Sequence, residues 1–158
     1  MVKFKRVRAA TIPLVYELLN DIRKPDMKEL LMNDEAPDSV VYQSIDNSKY
    51  CYVVRNKDDE LLAITGIGKI TIEVYGTKCT PVWFLGTNKA YFHNRALVYY
   101  GKQFCTRWIA EVGPLCNYIW AGNEPALRYI KHIGATFCDI EMINGEPFVP
   151  FILSEVKQ

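Results

Sequence analysis

The stretch Trp120-Ala-Gly-Asn-Glu-Pro-Ala-Leu-Arg-Tyr-Ile-Lys-His-Ile-Gly-Ala-Thr-Phe137 decides the fold, because it contains a strand end, a short helix and the start of a new strand. Asn123 is a residue type that caps helices, and Pro125 is tolerated in a first turn because it has no N–H to donate. Apolar residues then recur at helical spacing, and Gly134 supplies the left-handed residue that ends the helix. The sequence therefore predicts a short amphipathic helix packed on a sheet.

Residue composition predicts a single globular domain. The chain has 158 residues, of which 49% are hydrophobic and 23% are charged. This composition is typical of a globular domain with a hydrophobic core. We therefore expect one domain spanning residues 1–158. The net charge of +1 gives no field that would favour nucleic acid, and the one basic run, on the first predicted strand, is interpreted as a solvated strand face. No nucleic-acid partner is expected.

Cysteine and histidine spacing argues against a disulfide framework and a metal site. The cysteines form an odd set without a C-x-x-C pair, so a reducing compartment fits best. They are Cys51, Cys79, Cys105, Cys116 and Cys138. His93 and His132 have no cysteine or carboxylate at ligand spacing, so no metal is expected.

With no apolar stretch of about 18 residues and no leader-like start, neither a membrane-spanning segment nor a cleavable export signal is expected.

Hydrophobic periodicity and turn residues predict alternating strands and helices over the rest of the chain. Predicted strands cover residues 2–9, 50–55, 61–67, 70–75, 82–85, 116–120, 137–143 and 148–153. Helices are predicted over residues 12–22, 26–32, 38–45 and 92–111, besides the short helix after Asn123. Asn144-Gly145, a strong hairpin signal, joins the last two strands. This order predicts an α/β or α+β fold with one mixed, mostly antiparallel central sheet flanked by helices.

The stretch from residue 120 to residue 137 resembles the last βαβ unit of acyl-CoA N-acyltransferases of the GNAT type, and the predicted element order is the GNAT order. The family's asparagine, alanine, tyrosine and glycine fall at Asn123, Ala126, Ile130 and Gly134. In that family the tyrosine protonates the departing CoA sulfur, so the resemblance implies that the usual proton donor is missing. Tyr129 lies one residue earlier, which turns its side chain about 100° around the helix. We interpret it as a half-buried packing residue and keep it as a catalytic candidate.

Two further motifs are Ile22-Arg-Lys-Pro-Asp-Met-Lys-Glu-Leu30 and Pro81-Val-Trp-Phe-Leu-Gly-Thr87. Together they resemble the GNAT-like proteins of tailed bacteriophages, a group that includes an internal virion protein of short-tailed coliphages. The resemblance implies a phage-encoded accessory of the virion, of assembly or of host takeover, with a protein partner in the host cytoplasm or the virion. By residue type alone, Arg23, Asp26 and Glu29 predict an exposed cluster at a helix start, and residues 83–85 predict core.

In the GNAT family the CoA pyrophosphate binds a glycine-rich turn that opens the long helix, where backbone N–H groups and the helix dipole attract anions. The corresponding residues 88–97 contain no glycine, and the side chains of residues 91–93 are expected to crowd the approach. We therefore interpret the pyrophosphate site as degraded. The candidate cofactor-binding residues are Lys89, Asn94, Arg95 and, near the pantetheine arm, Asn123.

Candidates for catalysis are few. Glu73 is the candidate base for the amine proton, although its alternation with apolar neighbours equally predicts a water-facing residue. Cys79 and Cys105 lack an adjacent histidine, so neither is favoured as a nucleophile.

The sequence leaves two functions open. One is an accessory protein with weak or lost acetyltransferase activity and no expected cofactor; the other is an active acetyl-CoA-dependent N-acetyltransferase acting on an amine of a protein or small molecule. The oligomeric state is left open.

Overall fold

The computed structural model describes every residue from Met1 to Gln158 and contains nine strands and five α-helices. The strands are β1 (Val2–Arg6), β2 (Ser48–Asn56), β3 (Leu61–Gly68), β4 (Ile72–Val74), β5 (Thr77–Gly86), β6 (Leu115–Trp120), β7 (Thr136–Phe137), β8 (Glu141–Ile143) and β9 (Glu146–Leu153). The helices are α1 (Ile12–Asp21), α2 (Lys24–Leu31), α3 (Pro37–Asp46), α4 (Asn94–Val112) and α5 (Glu124–Ile133). A 3₁₀ helix covers Asn88–Phe92.

Two compact units share these elements, and each is discontinuous in sequence. The first unit comprises Met1–Lys69 and Trp83–Ala96, and the second comprises Ile70–Val82 and Leu97–Gln158. The strand β5 and the helix α4 therefore pass from one unit to the other. Because the units are interleaved, no single boundary divides the chain into consecutive domains, and the expectation of one domain stays a prediction.

The first unit combines an antiparallel set of strands with three helices. β1 pairs with β2 from Val2↔Asn56 to Arg6↔Tyr52, and β2 pairs with β3. Each helix begins with a proline in its first turn, where the missing N–H is harmless. Apolar side chains of the helices and strands pack into one core, formed by Val15, Leu18, Ile22, Leu30, Val41, Ile45, Cys51, Val53, Leu61, Ile64 and Leu85.

The second unit contains a parallel strand pair. β5 and β6 pair at Thr80↔Leu115 and Pro81↔Cys116, and α4 connects them, as the crossover between parallel strands requires. β6 is antiparallel to β9, the other edge of β9 pairs with β7 and β8, and β4 pairs with β5. α5 links β6 to β7 and ends at Gly134. The φ angle of Gly134 is 128°, a backbone conformation that residues other than glycine rarely adopt.

The predicted fold class is confirmed, since a mixed and mostly antiparallel sheet is flanked by helices in the predicted order. Some boundaries differ. The first strand ends at Arg6 instead of residue 9. The predicted strand over residues 137–143 is two short strands, because residues 138–140 leave the regular ladder while the N–H of Cys138 still donates to the carbonyl of Pro150. The long helix begins at Asn94, after the 3₁₀ helix, instead of residue 92.

Cys79 and Cys116 form a disulfide, which corrects the expectation from sequence that the cysteines are unpaired. They lie on the neighbouring strands β5 and β6, with 5.8 Å between their Cα atoms, a distance that a disulfide spans. A sequence separation of 37 residues hides such a pair from any local motif. The inference of a reducing compartment rested on unpaired cysteines and loses that support. Cys51, Cys105 and Cys138 are free thiols.

Candidate functional site

The segment after β5 forms a 3₁₀ helix over Asn88–Phe92. In the family that the sequence resembles, a glycine-rich loop occupies this position. Thr87 anchors the segment, because its N–H donates to the carbonyl of Leu62 at 2.9 Å and its hydroxyl donates to the carbonyl of Leu61 at 2.7 Å. Ala90, in the middle of the 3₁₀ helix, is buried. No residue from Asn88 to the start of α4 is a glycine, so each of them carries a side chain beside the backbone.

Lys89, a candidate for phosphate binding, is already paired with a carboxylate. Its Nζ lies 2.8 Å from Oδ2 of Asp21, and Nδ2 of Asn88 donates to Oδ1 of Asp21 at 3.2 Å. The hydrogen bond from Lys89 lowers the pKa of Asp21, and the same bond raises the pKa of Lys89. Both groups are therefore charged at neutral pH, and an incoming phosphate would have to compete with Asp21 for the ammonium group.

Asn94 and Arg95 form the first turn of α4, and both are exposed. The N–H groups of a first helical turn attract anions, and Arg95 adds a full positive charge to them. Tyr91 and Phe92 come directly before this turn, and Phe92 is 85% exposed. The helix start is therefore accessible and positively charged, with two exposed aromatic side chains preceding it.

The motifs that contain Arg23 and Gly86 meet in the first unit. The N–H of Arg23 donates to the carbonyl of Gly86 at 2.9 Å, and the N–H of Gly86 donates to Oδ2 of Asp26 at 2.9 Å. Nε of Arg23 donates to the same carboxylate oxygen at 2.9 Å. The expectation of an exposed cluster is wrong for this pair, because Arg23 is 4% exposed and Asp26 is 2% exposed. Ile22 forms an antiparallel bridge with Thr87, which places Arg23 beside the end of β5.

Asn123 is the N-cap of α5, as the sequence predicted. It is buried, and its side-chain oxygen accepts a hydrogen bond from the N–H of Ala126 at 3.3 Å. This bond satisfies one of the N–H groups that a helix start leaves without an intrahelical partner. The carbonyl of the Asn123 side chain is thus engaged in holding the helix start, which limits its use as a ligand for a pantetheine arm.

Tyr129 and Ile130 point in different directions from α5. Ile130 is 6% exposed and belongs to the core, whereas Tyr129 is half-buried and its hydroxyl donates to the carbonyl of Leu97 on α4 at 3.2 Å. Gly101 makes this approach feasible, because a Cβ at that position would collide with the Tyr129 hydroxyl. The sequence reasoning missed this partner, although a glycine inside a helical pattern is a signal of close packing.

The catalytic candidates Glu73, Cys105 and Cys79 lie in different environments of the second unit. Glu73 is exposed on β4, opposite Lys78 of β5, so its carboxylate is solvated. Burial raises the pKa of the Cys105 thiol to about 12, which leaves almost no thiolate at neutral pH. Cys79 is bonded to Cys116 and has no free thiol. No group of three or more histidine, cysteine or carboxylate side chains is arranged to hold a metal ion.

Solved structures of N-acetyltransferases match the fold over nearly the whole chain. An aminoglycoside acetyltransferase in complex with coenzyme A has a TM-score of 0.68 and 12% identity, covering 98% of this chain and 95% of its own. An aminoglycoside acetyltransferase from Legionella pneumophila has a TM-score of 0.64 and 13% identity, covering 96% and 91%. The ribosomal-protein-S18-alanine N-acetyltransferase from Escherichia coli has a TM-score of 0.60 and 11% identity, covering 96% and 92%.

The chain therefore has the fold of the GNAT acetyltransferases. At these identities the likeness establishes the fold and leaves the activity open. No protein-family model matches the chain, and no curated protein sequence matches it significantly. No helix is long and apolar enough to cross a membrane.

Proposed function

We propose that this chain is a GNAT-fold protein in which acyl transfer is weak or lost, and that it acts through its surface on a protein partner. The observation that carries the proposal is the orientation of Tyr129, whose hydroxyl is bonded to the carbonyl of Leu97, next to a buried Ile130. The resemblance places the family's proton donor at position 130. An isoleucine there cannot protonate a departing thiolate, and the neighbouring phenol is held by the backbone of α4.

The segment between β5 and α4 supports the same conclusion. A glycine-rich turn lets phosphates approach backbone N–H groups closely, and residues 88–97 offer none. Lys89 is bound to Asp21, so it does not replace the lost contacts without giving up an ion pair. Weakened anion binding and a missing acid are separate losses, and each one alone lowers the rate of acyl transfer.

The biological setting is proposed from the two motifs that resemble phage proteins. In this proposal the chain is phage-encoded, works in the host cytoplasm or the virion, and contacts a virion or host protein. The two motifs together build the buried Arg23–Asp26–Gly86 cluster instead of a solvated helix start. No cofactor is required for this role.

A second function, N-acetyl transfer from acetyl-CoA to an amine, is favoured by the accessible start of α4. Arg95 adds charge to the N–H groups of the first turn, and one structure with this fold holds coenzyme A. In that case Arg95 and Asn94 would hold the phosphates, and water or Tyr129 would supply the proton.

Calorimetric titration with acetyl-CoA, followed by an acyl-transfer assay on a panel of amines, separates the two functions. The Arg95→Ala variant removes the proposed phosphate contact, and Arg107→Ala removes an exposed arginine of the same helix as a matched control. We expect no binding tighter than about 100 µM and no transfer that depends on Tyr129. Tight binding lost in Arg95→Ala but kept in Arg107→Ala, with turnover that falls in Tyr129→Phe, would establish the enzyme instead.

A further inference from the structure

The guanidinium group of Arg23 is enclosed in the first unit, yet its hydrogen-bonding capacity is only partly used. Its side chain is 5% exposed, and Nε is bound to Asp26. Nη2 is buried and meets no hydrogen-bond acceptor. Buried donors are nearly always satisfied in folded proteins, since an unmatched one is costly, and each exception calls for an explanation.

Gly86, Phe84 and Tyr91 are the neighbours of the Arg23 guanidinium group. Gly86 lies against the guanidinium, because a Cβ at that position would come within 2.7 Å of Nε and 3.1 Å of Nη2. The ring centroids of Phe84 and Tyr91 are each 5.5 Å from Cζ of Arg23. Such rings attract the positive charge but supply no oxygen to the N–H group. Nη2 itself has less than 1 Å² of accessible surface, so a ligand reaches it only when a neighbouring side chain moves, and Tyr91, which is 40% exposed, is the more exposed of the two rings.

Charge balance decides which kind of ligand fits. Arg23 and Asp26 are a buried pair without net charge, so a carboxylate or phosphate at Nη2 would add an uncompensated negative charge close to the Asp26 carboxylate. A neutral oxygen acceptor gains the hydrogen bond without that penalty. Carbonyl oxygens of amides and thioesters are neutral acceptors, and their flat, partly apolar groups suit a wall formed by an aromatic ring.

We propose that Nη2 of Arg23 is the donor of a binding site for a neutral carbonyl oxygen, bounded by Gly86, Phe84 and Tyr91. The ligand is an amide or a thioester, and this chemistry belongs equally to a peptide backbone and to an acyl donor. The site does not depend on acyl transfer, so it stands whether or not the chain is an enzyme. It gives the motif that contains Arg23 a role in recognition.

Nuclear magnetic resonance titration of the intact protein tests the site with three small probes. N-methylacetamide represents a peptide amide, S-methyl thioacetate represents an acyl thioester, and acetate represents an anion of similar size. The signals to follow are the Nε–H and Nη–H groups of Arg23 and the backbone N–H groups of Gly86 and Tyr91. Arg23→Lys removes Nη2, and Arg107→Lys is the matched control at an exposed arginine.

We expect saturable shifts at Arg23, Gly86 and Tyr91 with at least one carbonyl probe, and little response to acetate. Binding should weaken by about tenfold in Arg23→Lys and stay unchanged in Arg107→Lys. Preference for the thioester would identify an acyl donor, and preference for the amide would identify a peptide. Stronger binding of acetate, or no response of Arg23 to any probe, overturns the proposal. If Arg23→Lys does not fold, the Arg23 side-chain signals of the unaltered protein decide the question.

Discussion

Oδ2 of Asp26 accepts two hydrogen bonds, one from Nε of Arg23 and one from the backbone N–H of Gly86, each 2.9 Å long. A single carboxylate oxygen thereby ties the start of α2 to the end of β5. Charge-assisted bonds of this kind are stronger than neutral ones, and burial keeps water from competing for them. The relationship explains why two motifs far apart in sequence act as one structural feature.

Asp26→Ala should be strongly destabilising. Loss of the carboxylate leaves the guanidinium of Arg23 buried without its counter-charge and frees the N–H of Gly86, and removing one partner of a buried pair costs about 3–5 kcal/mol. Urea denaturation measures the loss, with Asp58→Ala, at an exposed aspartate, as a control that should change the free energy of unfolding by less than about 0.5 kcal/mol.

The double variant Arg23→Met with Asp26→Leu gives the complementary result. It removes both charges, so we expect a smaller loss of stability than in Asp26→Ala alone. Equal losses in the single and double variants would contradict the idea that the unpaired charge dominates the penalty.

Gly101→Ala should destabilise the second unit through Tyr129. A helical glycine replaced by alanine normally gains about 0.5–1 kcal/mol, but here the added Cβ collides with the Tyr129 hydroxyl, and overpacking costs about 1–3 kcal/mol. In a Tyr129→Phe background the hydroxyl is absent, so the same substitution should be less harmful by about 1 kcal/mol. Urea midpoints of the four proteins in this cycle give the coupling energy directly. Additive effects would show that the two residues do not interact.

Thiol counting should distinguish three classes of cysteine. In the native protein, Cys138 should react first with a thiol reagent, since it is partly exposed, whereas Cys51 and Cys105 are buried and burial raises the pKa of each to about 12. Denaturation without a reductant should expose three thiols, and denaturation after reduction should expose all five cysteines. Five reactive thiols without a reductant would show that Cys79 and Cys116 are not bonded.

The disulfide should also contribute to stability. Closing a loop of 37 residues restricts the unfolded chain by about 4 kcal/mol in the chain-entropy treatment, and measured values are often smaller. A reductant should therefore lower the urea midpoint of the unaltered protein. The variant with Cys79→Ala and Cys116→Ala should have the same midpoint with and without the reductant.

The Lys89–Asp21 pair should give a small contribution to stability that depends on pH. Lys89 lowers the pKa of Asp21 below its ordinary value of 3.8, so the contribution is complete about one pH unit above 3.8 and is lost as the pH falls through the lowered value. Because both side chains are partly solvated, Asp21→Asn should lower the free energy of unfolding at pH 7 by roughly 0.3–0.5 kcal/mol. The difference between the two proteins should shrink as the pH falls below the lowered pKa of Asp21, whereas Asp58→Asn should show no difference at pH 7 or in acid.

Local signals in the sequence predicted α5 well, and distant contacts explain what they could not predict. The cap at Asn123, the proline at residue 125 and the stop at Gly134 lie within a dozen residues, and the helix runs from Glu124 to Ile133. By contrast, 60 residues separate Asp26 from Gly86, so no window of sequence could reveal that Asp26 is buried.

The same limit applies to the candidate site. The missing glycines after β5 were visible in the sequence, because they belong to one short segment. The pairing of Lys89 with Asp21, 68 residues away, was not visible, and it changes the charge that a phosphate would meet. Residue types thus indicated which residues of the family pattern are replaced, while the fold determined which charges were already paired.

The bond between Cys79 and Cys116 closes a covalent ring that includes the exposed Phe92. A protease that cuts within this ring opens the backbone without releasing a fragment. The nicked protein would keep its full mass on a denaturing gel, and two bands would separate only after a thiol is added. Limited digestion of the oxidised protein must therefore be read with and without reduction before any segment is judged resistant.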